Sequence, residues 1–102
     1  MYEVMMGLNI VDDATYSRYR AEMTPLLEAH GGSFGVDVRV SEVLRPAGTA
    51  FNRLFTIRFP SSEKREAFFS NPAYLEVRDR LYEPSVSGAH RLGVCSEGRA
   101  LG

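Results

Sequence analysis

Apolar and polar positions alternate strictly at the start of the chain, where every even-numbered position from 2 to 10 is apolar. The apolar side chains are those of Tyr2, Val4, Met6, Leu8 and Ile10. A period of two is typical of a β-strand that covers one face of a sheet. The pattern therefore predicts a first strand over residues 2–11, with these side chains directed at a core.

A helical pattern follows this strand. Asp12 or Asp13 can act as the N-cap, because a carboxylate accepts from the free N–H groups of the first turn, and Gly31-Gly32 marks the end of the helix. Between them, apolar side chains recur at helical spacing, namely Tyr16, Tyr19, Met23, Leu26 and Leu27. Pro25 is expected to kink or restart this helix, because it has no backbone N–H to donate.

Two further strands are predicted in the middle of the chain. Phe34, Val36, Val38 and Val40 alternate with polar or small residues, which predicts a strand from residue 34 to about residue 44. A turn over residues 45–49 precedes a third strand over residues 51–59.

The residues after the third strand predict two helices followed by a strand. Ser61 or Ser62 caps a helix, and Asn71-Pro72 marks a second start, since Asn favours the cap and Pro the first helical position. Helical spacing continues to about residue 83, and weak alternation over residues 89–97 predicts the fourth strand.

The order β-α-β-β-α-β is the ferredoxin-like α+β plan, with an antiparallel four-stranded sheet and both helices on one face. We predict one domain over residues 1–96 and a loose tail over residues 97–102. The opposite face is expected to carry Glu3, Met5, Asn9, Asp37, Arg39, Thr56, Arg58 and Arg91. This face is either wetted by solvent or packed against a second copy of the chain.

Composition narrows the function classes. The net charge is -1 and no block of like charges occurs, which argues against nucleic-acid or acidic-membrane binding. The single cysteine, Cys95, excludes an intrachain disulfide and fits a reducing compartment. The N-terminus has no basic leader, and no apolar run approaches the roughly 18 residues of a membrane span. We therefore expect a cytoplasmic protein.

Several motifs resemble those of a known family. They are Tyr16-x-x-Tyr19, Pro25, His30-Gly31-Gly32, Phe59-Pro60-Ser61 and Phe69-x-Asn71-Pro72-x-Tyr74. In order and spacing they resemble the domain-of-unknown-function 1330 family, within the dimeric α/β-barrel superfamily, over roughly residues 2–95. The resemblance implies a homodimer whose two sheets pack into a barrel, and no established activity. More distant members of the superfamily include cofactor-free monooxygenases, isomerases, haem-degrading enzymes and ligand-sensing domains, with pockets usually between sheet and helices.

The two histidines and a tyrosine are candidates for proton transfer. His90 begins the last strand and is expected to point toward the helix layer, where it or Tyr19 would handle a proton. His30 lies at a helix C-terminus, where the helix dipole favours a cation, and this alone explains a histidine at the position. A substrate-binding role is the alternative.

Other polar side chains are candidates for substrate binding. Tyr16 and Tyr74 could line a pocket and bond a ligand through their hydroxyls, although tyrosines at helical spacing also build cores. Arg78 lies one turn after Tyr74. If buried it would need an anion, either Glu42 or a substrate carboxylate; otherwise it lies on a solvated helix surface.

Two hypotheses for function follow, together with a third possibility. The first is a homodimer that binds a small molecule, and the second is a cofactor-independent enzyme, monooxygenase- or isomerase-like, acting on a small aromatic or carbonyl compound. The third is an assembly module with a filled core. No metal or other cofactor is expected. The two histidines lie far apart in the sequence and there is one cysteine, which is a weak set of metal ligands, and no nucleotide-binding motif occurs. Convergence of His90, Tyr19 and Arg78 on one cavity would favour the enzyme.

Overall fold

A computed structural model describes residues 1–96, and the predicted tail over residues 97–102 lies outside them. The elements are β1 (Tyr2–Ile10), α1 (Asp13–Ala29), β2 (Ser33–Arg39), β3 (Arg53–Phe59), α2 (Ser62–Ser70), α3 (Pro72–Val77), a π-helical turn (Arg78–Tyr82) and β4 (Val86–Ser96). The predicted order of strands and helices is confirmed. β2 is shorter than predicted, and β4 begins three residues earlier.

The four strands form one antiparallel sheet in the order β2-β3-β1-β4. With the two helical segments between strands, this is the ferredoxin-like fold that the sequence predicts. Alternate side chains of β1 and β3, including Val4, Leu8 and Ile57, pack with buried side chains of the helices in a single cluster. The other side of the sheet, called here the outer face, has no helix packed on it within the described residues.

Both ends of α1 are fixed by their sequence signals. Asp12 is the N-cap, and its Oδ1 accepts from the Thr15 backbone N–H at 3.1 Å. At the other end the N–H of Gly31 donates to Glu28 and that of Gly32 to Leu27, each at 2.9 Å, which is the Schellman pattern. Gly31 has a φ of +76°, a conformation that favours glycine. The helix runs through Pro25 without the restart that was one of the two expectations.

Caps also set the start of α2 and α3. Ser61 accepts from the Lys64 N–H at 3.2 Å, and Asn71 accepts from the Ala73 N–H at 2.8 Å, with Pro72 at the first helical position. Both predicted starts are confirmed.

A β-bulge overturns the predicted orientation of His90 and Arg91. Met5 pairs with Gly93 but Met6 pairs with Arg91, so β4 carries one extra residue at this point. An extra residue inverts the alternation beyond it. His90 consequently lies opposite Gly7 on the outer face, and Arg91 lies on the side of the helices. The predictions that His90 points toward the helices and Arg91 away from them are wrong.

A second irregularity reverses two more side chains. Phe34 pairs with Ile57, whereas Asp37 pairs with Phe55, so the register of β2 shifts between them. Asp37 and Arg39 therefore lie on the helix side, contrary to the prediction. The other predicted outer-face residues keep their places, namely Glu3, Met5, Asn9, Thr56 and Arg58.

We predict that Gly32→Ala lowers the free energy of unfolding by about 1–3 kcal/mol. A Cβ at this position would overlap Leu27 Cδ1 and lie 3.1 Å from the Arg58 carbonyl oxygen, and Leu27 is fully buried. Urea unfolding followed by circular dichroism measures the change. Gly88→Ala is the control, since its Cβ would meet nothing closer than 3.9 Å and should change stability by about 0.5 kcal/mol or less. Equal effects of the two variants would contradict the prediction.

Candidate functional site

A cavity of about 210 Å³ lies between the helix layer and the sheet. Its lining residues are Val4, Met6, Leu8, Tyr16, Tyr19, Arg20, Met23, Phe34, Phe55, Ile57, Arg65, Phe69, Tyr74 and Tyr82. A cavity of roughly 150 Å³ is known to hold benzene. This one therefore has room for a single substituted aromatic ring, in a wall that is mostly apolar and aromatic.

A pair of tyrosine hydroxyls lies on the cavity wall. The Tyr19 and Tyr74 oxygens are 2.8 Å apart and share a buried hydrogen bond. The ring of Tyr82 packs 5.2 Å from that of Tyr19. Tyr82 ends the π-helical turn, in which the Glu83 N–H donates to the Arg78 carbonyl five residues back. Turns of this kind often occur at functional sites.

Burial further favours the neutral form of these phenols. Desolvation, together with the neighbouring Tyr74, raises the pKa of Tyr19 well above its ordinary value. Burial likewise raises the pKa of Tyr16 and of Tyr74, and it raises that of Tyr82 to about 12. A neutral phenol donates and accepts hydrogen bonds but does not act as a base near pH 7. The hydroxyls are therefore suited to orienting a ligand.

Arg20 brings a guanidinium group from α1 to the cavity. Its Nε donates to the Tyr16 hydroxyl at 2.8 Å, and its Nη1 donates to Asp37 at 3.1 Å. The guanidinium carbon lies 3.9 Å from the centre of the Phe34 ring. Its Nη2 is buried and has no hydrogen-bond partner within the described residues.

Asp37 is shared between two arginines. Arg53 donates to it through Nε at 2.7 Å and Nη2 at 3.0 Å, in addition to the bond from Arg20. The hydrogen bond from Arg53, followed by the charge of Arg20, holds the pKa of Asp37 below its ordinary value despite partial burial. One carboxylate thus offsets two cations.

Arg65 brings a second guanidinium group, from α2. Its guanidinium carbon lies 5.1 Å from the centre of the Phe69 ring and 5.9 Å from that of Tyr2. Its Nε is buried without a hydrogen-bond partner, and none of the ion pairs within residues 1–96 involves it.

Sequence reasoning missed both arginines, although a local signal marks each of them. Arg20 follows Tyr16 by four residues and Arg65 precedes Phe69 by four. This spacing places each pair on one helix face. Tyr16 is among the buried residues of α1, so its face, and Arg20 with it, turns inward.

The predicted site residues divide into two groups. Tyr16, Tyr19 and Tyr74 line the cavity together. Arg78 does not: its side chain is 39% exposed and pairs with Asp79 at 2.9 Å and Glu83 at 3.9 Å. This is the predicted surface alternative.

The histidines lie away from the cavity as well. His30 caps α1, and its Nδ1–H donates to the Leu26 carbonyl at 2.8 Å, as the helix-end interpretation expects. His90 lies on the outer face with its ring 6.0 Å from that of Phe51. His90, Tyr19 and Arg78 therefore do not converge on one cavity.

Within residues 1–96, no group of three or more His, Cys, Asp or Glu side chains is placed to hold a metal ion. None of the helices in this range is both long and apolar enough to cross a bilayer.

We predict that the free energy of unfolding falls as the pH rises above about 10. Unfolded tyrosines lose their protons near the ordinary pKa of 10.0, whereas the cavity tyrosines keep theirs because their pKa is raised. Their contribution is complete below pH 10 and is lost on going above it. Urea midpoints between pH 8 and 11 measure this, and the Tyr19→Phe/Tyr74→Phe double variant should show a smaller decline. Tyr2→Phe, outside the cavity, is the control; a double variant with the wild-type decline would refute the explanation.

Comparison with known proteins gives a family and a fold. A model for a domain of unknown function (DUF1330) matches residues 2–86, and the sequence matches no curated protein. A structure of a protein of unknown function from Rhodopseudomonas palustris superimposes with a TM-score of 0.78 at 13% identity, covering 97% of this chain and 83% of that one.

Two other solved structures share the architecture. A DABB family protein with a ferredoxin-like fold from Mesorhizobium loti gives a TM-score of 0.67 at 11% identity, over 92% of this chain and 93% of that one. A dimeric ferredoxin-like protein of unknown function from Thermobifida fusca gives 0.58 at 10% identity, over 92% and 88%. At these identities the structures establish the fold alone, while the family match covers most of the sequence: the chain belongs to the DUF1330 family.

Proposed function

We propose that this protein is a homodimer that binds one small, largely apolar molecule in each cavity between helices and sheet. The observation that carries the proposal is the cavity itself, an aromatic-lined space of about 210 Å³ with a tyrosine hydroxyl pair on its wall. Ligand sites are typically apolar clefts with a few fixed polar groups, and this cavity has that composition.

The hydroxyl pair gives the cavity a means of orienting a ligand. Two phenols have two hydroxyl hydrogens, and the bond between Tyr19 and Tyr74 uses one of them. The other is free to donate to an acceptor on a ligand. Apolar contact supplies roughly 25 cal/mol for each Å² removed from water, and the directed hydroxyl adds orientation.

The same geometry favours binding over proton-transfer catalysis. No His, Asp or Glu lies among the described residues that line the cavity, and the raised pKa of Tyr19 removes it as a base near neutral pH. A catalytic base must lie within hydrogen-bond reach of its substrate. The described side chains around the cavity supply none, which favours binding over a reaction that begins with proton abstraction.

The outer face supports the homodimer. The domain is a flat slab of about 35 × 34 × 17 Å, so its broad face exceeds the roughly 800 Å² per partner of a standard interface. Apolar side chains lie on this face, among them Met5, Leu54 and the 46%-exposed Val38. The Thermobifida fusca protein of the same fold is described as dimeric.

We predict that Val4→Phe abolishes binding of one-ring aromatic compounds, because Val4 lines the cavity and the larger ring would occupy it. Saturation-transfer NMR with a panel of such compounds measures binding, and circular dichroism verifies that the variant folds. Val11→Phe is the matched control, since Val11 is 63% exposed outside the cavity. A folded Val4→Phe protein that binds like wild type would place the site elsewhere.

We predict that Val38→Lys converts a dimer into a monomer. Val38 pairs with Leu54 on the outer face, and in a symmetric sheet-to-sheet interface the change would bury two unpaired ammonium groups. Native mass spectrometry and sedimentation velocity measure the masses. Val11→Lys adds the same charge at an exposed site off the sheet and should stay dimeric. A monomeric wild-type protein would rule out the dimer.

A further inference from the structure

We infer that the ligand carries an anionic group, a carboxylate being the simplest, and that Arg65 pairs with it. The ligand class is thus a compact aromatic or similarly apolar acid. This inference rests on the proposed function and adds the chemical class of the ligand to it.

Arg65 has the properties expected of a cation that pairs with an anionic ligand in the cavity. Its Nε is buried at the cavity and donates to no described group. Its contacts on the protein side are the faces of Phe69 and Tyr2, which attract a cation but accept no conventional hydrogen bond. A buried donor left without a partner is unfavourable, and an anion in the cavity would accept from it.

Arg20 adds a second free donor to the same cavity. Its Nε and Nη1 are occupied by Tyr16 and Asp37, while Nη2 is buried and unpartnered. Because Asp37 already offsets part of its charge, Arg20 serves as an additional hydrogen-bond donor for a ligand oxygen. Arg65 has no such offset and is therefore the primary ion-pair partner.

The charge balance of the cavity supports an acid over a base or a neutral compound. Among residues 1–96, two arginines line the wall and no acidic side chain does. A cationic ligand would be repelled here, and a neutral one would leave the Nε of Arg65 with a weaker, uncharged acceptor. A carboxylate forms charge-assisted hydrogen bonds with a guanidinium group, and these strengthen where water is excluded.

The simplest structural alternative is that Arg65 only packs its guanidinium group on Phe69 and Tyr2. In that case the charge would stabilise the fold without affecting the choice of ligand. The two explanations differ in whether removing the charge changes the preference for an acid over its neutral analogue.

The test uses 3-phenylpropionate and 3-phenylpropionamide, two probes of nearly equal shape that differ in charge. Affinities for wild type, Arg65→Gln and Lys64→Gln are measured by ligand-observed NMR or calorimetry at neutral pH. We expect wild type to prefer the acid by about tenfold or more, as hydrogen bonds to charged groups allow. Arg65→Gln should lose this preference while keeping its affinity for the amide.

Lys64→Gln is the matched control, because it removes the same charge from an exposed neighbouring position of α2. It should keep the preference for the acid, which separates a directed ion pair from a general surface potential. Thermal unfolding verifies that each variant is folded. If Arg65→Gln does not fold, the wild-type preference and that of Arg65→Lys, which keeps the charge, provide the test.

The possible results are distinguishable. Equal wild-type affinity for the two probes would overturn the inference and leave the proposed function intact. A preference for the acid that survives in Arg65→Gln would overturn the role of Arg65. Failure of wild type to bind either probe would contradict the proposed function, and the inference with it.

Discussion

The bond between Asp37 on the sheet and Arg20 on α1 is the interaction on which the geometry of the cavity depends. This bond of 3.1 Å joins the two layers. It fixes the direction of the Arg20 guanidinium group, which would otherwise extend into solvent. Asp37 can play this part only because the register of β2 shifts after Phe34 and brings it to the helix side. A backbone irregularity in the edge strand β2 thus determines the structure of one wall of the cavity.

The rest of the cavity follows from the shape of aromatic side chains. Rigid rings in the helices meet the apolar side of β1 and β3, and several ring pairs lie 4.4–6.3 Å apart in tilted or edge-on arrangements. The cavity lies among these rings, and Tyr19 and Tyr74 line it. A polar group buried there must find a partner, and Tyr19 and Tyr74 satisfy each other.

Local signals made most of the fold predictable from the sequence. Asp12, Ser61, Asn71 and Gly31 each act within a few residues of their own position, so the caps and the order of elements could be found without knowing the rest of the chain. The bulges could not be found in this way, because an extra residue in a strand leaves no mark in composition. The inverted positions of His90, Arg91, Asp37 and Arg39 all trace to them.

The candidate site was predictable only in part, for a related reason. Periodicity identified Tyr16, Tyr19 and Tyr74 as inward-facing, but it does not distinguish a filled core from a cavity. The sequence indicated Arg78 because it lies one turn after Tyr74, but its guanidinium group pairs with the carboxylates of Asp79 and Glu83. Arginines on surface helices most often face water, and only tertiary packing shows that part of Arg20 and part of Arg65 are enclosed.

The π-helical turn at Arg78–Tyr82 has a consequence for how this domain can diversify. Such a turn holds one residue more than an α-helical turn, so loss of a single residue there would convert it into an α-helical turn and leave the residues after it in place. Only side chains within the turn would change direction, while the caps and strands that define the fold would be unaffected. Variation in length by one residue at this point is therefore a way to change the side chains within the turn on an unchanged scaffold.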